Sequence, residues 1–248
     1  MFLMQYCHTK AEAKFLENMD KRGISTLLLD YNQKLFLTDK EKTDLEKELN
    51  QILDKHSINK NNVYIGGFSS GGNIAILLGN DLIKTKNKLQ PKGVFVVDSP
   101  LDLENLYQDA QKDIQEKSNN DAVEEGHFII NMFDKNLGKP VYSIQNYAYY
   151  SPYLISKNTV ENLKYLKNIK VRFYCEPDLE WQIENRNRTY EDLNAFKLEK
   201  TSDALKELGS KKMELIKTKN RGFRANGDKN PHTWNLVEHE NLINWMLN

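Results

Sequence analysis

A serine between glycines, a late histidine and carboxylates at the ends of apolar runs are the residues of this sequence that could do chemistry together. The serine lies in Val63-Tyr64-Ile65-Gly66-Gly67-Phe68-Ser69-Ser70-Gly71-Gly72-Asn73-Ile74-Ala75. A β-branched, aromatic run enters this stretch and an apolar run leaves it. The pattern predicts strand, sharp turn and helix, with Ser69 at the apex. Glycine two residues to either side lets the two backbones pass closely. The Ser69 hydroxyl would then stand above a sheet as a nucleophile. The N–H of Ser70, at a helix N-terminus, would stabilise an oxyanion beside it.

Other readings of the stretch fit less well. A phosphate loop needs Lys-Ser/Thr where Gly72-Asn73 stands. A dinucleotide fingerprint needs glycine where Phe68 stands. The bland alternative is a plain Gly/Ser turn between two core elements, but strand before and helix after are the context a nucleophile elbow demands.

A serine hydroxyl needs a base, usually a histidine held by a carboxylate. The chain has His8, His56, His127, His232 and His239. With the base last in chain order, His232 and His239 remain. His239 shares a helical face with Leu236, Leu242, Ile243 and Met246, as a packed residue would. His232 falls in an irregular loop between Pro231 and Trp234, so it is the favoured base. Four acids compete to orient it: Asp98, Asp102, Glu176 and Asp178. Asp178 is favoured because it follows the penultimate strand, on a turn fixed by Pro177. Glu176 is its nearest rival. Asp98 ends the strand after the elbow helix and would also face the serine, unless it is only a strand-end cap beside Pro100.

Such groups can meet only if strands bring them to one edge of a sheet. Phe2 to Tyr6, Ile24 to Leu29, Val63 to Ile65, Val94 to Val97, Lys170 to Cys175 and Met213 to Lys217 read as strands. Helices are expected over residues 10 to 22, closed by Gly23, after Thr38, after the elbow, over Thr189 to Leu208 and over Leu236 to Leu247. Alternation of strand and helix predicts a parallel α/β sheet with right-handed crossovers. Residues 101 to 168 break the alternation. Leu103 to Ile114 and Phe128 to Phe133 read as amphipathic helices, followed by a loop with Tyr142, Tyr147, Tyr149, Tyr150 and Tyr153. This block reads as a helical cap inserted into one domain spanning 1 to 248.

The 248 residues suffice for such a domain, and 35 basic against 35 acidic side chains argue against a nucleic-acid or anionic-membrane surface. Cys7 and Cys175 form no disulfide framework or zinc spacing and read as small buried hydrophobes. No apolar run is long enough to span a bilayer, and Met1-Phe2-Leu3-Met4 lacks signal-peptide character, so a cytoplasmic location is expected.

From Phe2 to Leu247 the chain resembles the α/β-hydrolase family. The resemblance rests on Gly-Phe-Ser-Ser-Gly-Gly at the elbow, Glu-Pro-Asp at a strand end and Pro-His-Thr-Trp ahead of the last helix. The elbow form is similar to that of esterases and small acyl hydrolases. The resemblance implies Ser69 as nucleophile, His232 as base and then acid, and Asp178 as orienter of the imidazole. It also implies acyl transfer to water through an acyl-enzyme, without metal or organic cofactor. Family members usually place a His-Gly turn after an early strand for the second oxyanion N–H. Here Gln5-Tyr6-Cys7-His8 stands there, which leaves the backbone of Tyr6 or Cys7 as donor. The family also usually begins with one or two more strands, so the expectation is that either the sheet is short on that side or the start is truncated. A serine hydrolase of small carboxylic esters is the leading expectation. A catalytically impaired binding protein of this fold, or a small peptidase, is the alternative.

Overall fold

The computed structural model describes residues 2–3, 12–29, 34–60, 62–117 and 119–248, with backbone alone at 2–3. Six strands form one sheet: β1 (Phe2–Leu3), β2 (Leu28–Leu29), β3 (Val63–Phe68), β4 (Pro91–Val97), β5 (Lys170–Cys175) and β6 (Met213–Lys217), in the spatial order β2-β1-β3-β4-β5-β6. Every pairing is parallel. Parallel neighbours need crossovers, and helices supply them. These are α1 (Phe15–Lys21), α2 (Asp39–Lys55), α3 (Ser70–Lys84), α4 (Leu103–Glu116), α5 (Asn120–Asn136), α6 (Pro140–Tyr150), α7 (Leu179–Arg186), α8 (Asn194–Glu207) and α9 (His239–Leu247).

Both faces of the sheet are covered, and the alternation of side chains along each strand shows it. Val94 and Val96 of β4 join Val171 and Phe173 of β5 in a core with α2, α3 and α8. Phe95 and Val97 point to the other face, with Tyr174, and pack against α1 and α9. A strand buried on both faces reads as a continuous apolar run, which is why β4 was legible as Val94-Phe95-Val96-Val97. The helix α2 begins at a capping box made by Thr38 and Glu41. The elbow helix α3 is buried on nearly all sides, as its apolar composition requires.

Two strand expectations shorten. The run Ile24 to Leu29 contributes only Leu28–Leu29 to the sheet. The run Phe2 to Tyr6 contributes Phe2–Leu3, and its last three residues lie outside the described ones. Between β4 and β5 the described chain has no strand in the sheet. It holds α4, α5 and α6, which share a small core of Leu103, Tyr107, Phe133, Leu137 and Tyr147. The expected tyrosine-rich loop is in fact the helix α6, kinked at Ser143. Pro140 opens it at N1, where a missing N–H costs nothing. Tyr147 is its buried anchor and donates to the Gly138 carbonyl at 2.8 Å. The helix expected over Thr189 to Leu208 divides into a 3-10 turn at Tyr190–Asp192 and α8.

Register fixes what the sheet presents at its C-terminal edge. Phe68, Val97, Tyr174 and Ile216 are mutual partners across β3, β4, β5 and β6. The ladder runs one step further: Ser69 N–H donates to Val97 O at 3.0 Å, and Asp98 N–H to Tyr174 O at 2.9 Å. Ser69 and Asp98 therefore leave adjacent strands at the same level.

Candidate active site

Ser69 sits between β3 and α3 with φ 54° and ψ −130°, a region that side chains other than glycine rarely enter. The turn is tight enough that a Cβ on Gly67 would overlap the carbonyl of Gly71. Ser70 is the first residue of α3, so its N–H lies at the helix N-terminus. The helix is also locked to the turn after β4, for the buried Asn73 side chain donates to Pro100 O at 2.8 Å. This lock was not foreseen from the sequence, although Asn73 stands immediately after the elbow glycines.

The Ser69 Oγ lies 3.0 Å from His232 Nε2. His232 Nδ1 lies 2.6 Å from Asp98 Oδ2. A carboxylate only accepts, so Nδ1–H donates to Asp98 and Nε2 is left to accept the Ser69 hydroxyl. The imidazole is held from other sides as well. Its ring packs on Phe68 with centroids 4.4 Å apart, and its backbone N–H donates to Asn230 Oδ1 at 2.9 Å. Asp98 also has a positive φ, 41°. Its carbonyl accepts from Asn194 Nδ2 at 3.1 Å. The Asp98 side chain is nearly buried, while that of His232 is about one-third exposed at 36 %.

The acid beside His232 is thus Asp98, and the pairing expected for Asp178 is not made. Asp178 is committed elsewhere. Its Oδ1 accepts from Trp181 N at 3.3 Å as the N-cap of α7, and its Oδ2 pairs with Lys229 at 2.8 Å. The physical reason is register. Asp98 ends the strand beside the elbow strand, whereas Asp178 lies three residues beyond the end of β5, one strand further away. Glu176 does not touch the imidazole either. Its carboxylate accepts from Thr218 Oγ1, Arg221 N and Gly222 N at 2.9, 2.9 and 3.0 Å. Asp102 caps α4 through Asn105 N at 3.0 Å and accepts from Ile155 N at 2.8 Å. Burial pushes its carboxyl up to about 6.

Tyr6, Cys7 and His8, where the second oxyanion donor was expected, lie outside the described residues. Of the other histidines, His56 ends α2 and His127 is exposed on α5. His239 opens α9 and packs on Phe15, where burial lowers its pKa. Cys175 is buried, and burial pushes its thiol up to about 12, in keeping with a small core residue.

A pocket of about 110 Å³ opens over Ser69 and His232. Its walls are Leu106 of α4, Ile129 of α5, Trp181 of α7 and Leu193 just before α8. Arg188 also lines it and pairs with the buried Asp113 of α4, while Arg186 reaches Glu125 of α5 at 3.3 Å. These two pairs tie α7 and its following turn to the helices inserted between β4 and β5. The sequence carries no apolar stripe that marks α7, whose residues are all at least partly exposed. Among the described residues, no group of three or more His, Cys, Asp or Glu side chains is arranged to hold a metal ion. No described helix is long and apolar enough to cross a membrane.

No family model matches the chain, and no curated protein matches it. Solved structures do. An acylaminoacyl peptidase from Pyrococcus horikoshii is similar over 73 % of this chain, at 17 % identity and a TM-score of 0.42. The match spans only 23 % of that peptidase's own length. A candidate esterase from Staphylococcus aureus is similar over 99 % of this chain and 72 % of its own, at 13 % identity and a TM-score of 0.46. VinJ is similar over 99 % of this chain and 89 % of its own, at 13 % identity and a TM-score of 0.42.

Proposed function

We propose that this chain, which has the α/β-hydrolase fold, is a serine hydrolase that cleaves small carboxylic esters through an acyl-enzyme. One observation carries the reading: Ser69 Oγ, His232 and Asp98 form a continuous chain of contacts at 3.0 and 2.6 Å, on the strand ends where a parallel sheet presents its chemistry.

The roles follow from the atoms. His232 Nε2 takes the Ser69 proton as the oxygen attacks the ester carbonyl. The imidazolium so formed is stabilised by Asp98, which keeps its own charge. The Ser70 N–H meets the developing oxyanion, with a second donor proposed from the backbone of Tyr6 or Cys7. The tetrahedral intermediate collapses, His232 returns the proton to the leaving alkoxide, and an alcohol departs. Water then attacks the acyl-enzyme, with His232 as base. A second collapse releases the carboxylic acid and restores Ser69.

The helices between β4 and β5 serve as a cap in this reading, because Leu106 and Ile129 come from them and stand over the serine. The test is turnover of p-nitrophenyl acetate by the parent, Ser69→Ala and His232→Ala. The parent should show a burst near one equivalent per site. Each variant should lose about 10³-fold or more in kcat. A folded parent without turnover or burst on short aryl esters would leave a binding protein of this fold instead.

A further inference from the structure

The loop that carries His232 has its own anchor. The segment 218–233 joins β6 to the 3-10 turn Trp234–Leu236. A histidine on a long loop holds a 3.0 Å contact only if the loop is fixed. Glu176 leaves the end of β5, and the residue is only 5 % exposed. Among the described residues its three hydrogen-bond donors all belong to that loop: Thr218 Oγ1, Arg221 N and Gly222 N. From there two further bonds lead to the imidazole's own backbone. Gly222 O accepts from Asn230 N at 2.8 Å, and Asn230 Oδ1 accepts from His232 N at 2.9 Å. Packing follows the same line. A Cβ on Gly222 would lie 3.0 Å from Glu176 Oε1 and 2.9 Å from the Cα of Pro231, the residue before His232. Beyond the histidine, the Arg221 guanidinium donates to Asn235 O and Val237 O at 3.2 and 3.3 Å. The loop is therefore pinned on both sides of His232, and Glu176 grips Arg221 by its backbone N–H.

Resting on the hydrolytic reading above, we propose that Glu176 is a positioning residue: its carboxylate sets the loop so that His232 spans Ser69 and Asp98. It lines the pocket over Ser69, but its carboxylate bonds are to the loop and not to Ser69, His232 or Asp98. Two carboxylates thus divide the work at this strand edge, Asp98 on the imidazole and Glu176 on the loop beneath it.

The test pairs kinetics with a signature that needs no turnover. In Glu176→Ala, kcat on p-nitrophenyl acetate should fall about tenfold to a hundredfold, with KM changed less than about threefold. The low-field proton of His232 Nδ1–H, hydrogen-bonded to Asp98 in the parent, should broaden or vanish. Glu176→Gln keeps the shape and one carbonyl acceptor, and should fall between the two in both readouts. It also carries the test if the alanine variant does not fold. Parent values for either readout in these variants overturn the proposal, and so does absence of the low-field proton from the parent. Should the parent hydrolyse nothing, the proton resonance alone decides. Its loss in the Glu176 variants would uphold positioning while the hydrolytic reading fails.

Discussion

Asp98 and His232 stand 134 positions apart in the chain, yet Asp98 Oδ2 and His232 Nδ1 meet at 2.6 Å. Asp98 is delivered by β4, the sheet neighbour of the strand that delivers Ser69. Asp178, which the Glu-Pro-Asp motif favours, instead caps α7 and pairs with Lys229. The two acids can be separated by experiment. Asp98→Asn should lose about 10³–10⁴-fold in kcat, because the amide no longer holds the imidazole in its productive tautomer. Asp178→Asn should stay within about threefold of the parent, since asparagine also caps helices well. Steady-state kinetics of both variants check this, and the reverse ranking would restore Asp178 to the imidazole.

Gly67→Ala tests the elbow itself. The new methyl would overlap the Gly71 carbonyl and lie 2.5 Å from Gly72 N, both rigid backbone atoms. Overpacking of this kind costs about 1–3 kcal/mol and displaces Ser69. A lowered urea midpoint together with lost esterase activity is the expected result. An alanine variant with the parent's midpoint and turnover would mean that the turn is looser than described.

Asp102 predicts a pH dependence of stability. Its carboxyl is raised from 3.8 to about 6 by burial, so between about pH 4 and pH 6 the folded chain holds a proton that the unfolded chain has released. The sign follows: its contribution is fully present below about pH 4 and lost as pH rises through about 6. A shift of this size corresponds to roughly 3 kcal/mol. The unfolding free energy at pH 4 minus that at pH 7, from urea titrations, should be smaller in Asp102→Asn than in the parent. Identical pH dependence in the two proteins would remove Asp102 from the balance.

The pocket of about 110 Å³ over Ser69 predicts selection of short acyl groups. Acetate and butyrate esters should exceed decanoate at least about tenfold in kcat/KM. Ile129→Ala, which removes one wall, should favour hexanoate. A parent that prefers decanoate would contradict the pocket as the acyl site.

What the sequence made legible, and what it did not, divides along a physical line. Continuous apolar runs marked the strands that are buried on both faces, and Gly67 and Gly71 marked the elbow. The sequence favours His232 as base because it stands in an irregular loop ahead of the last helix, and the structure brings it to 3.0 Å from Ser69. The acid beside it is Asp98 and not the favoured Asp178. Both follow strands, and the chain order alone does not separate them. Only the register of the ladder says which strand end lies beside Ser69. The helix α6 was hidden because its tyrosines read as packing of a loop. The helix α7 was hidden because it is eight residues long, with Leu179 and Ile183 exposed.

The most direct measurement of the central claim is the position of a fluorophosphonate adduct on the intact protein, read by peptide mass spectrometry. A single adduct on Ser69, absent from Ser69→Ala and slowed about 10³-fold or more in His232→Ala, is the predicted result. Equal labelling of the parent and Ser69→Ala, or an adduct on another residue, would contradict it.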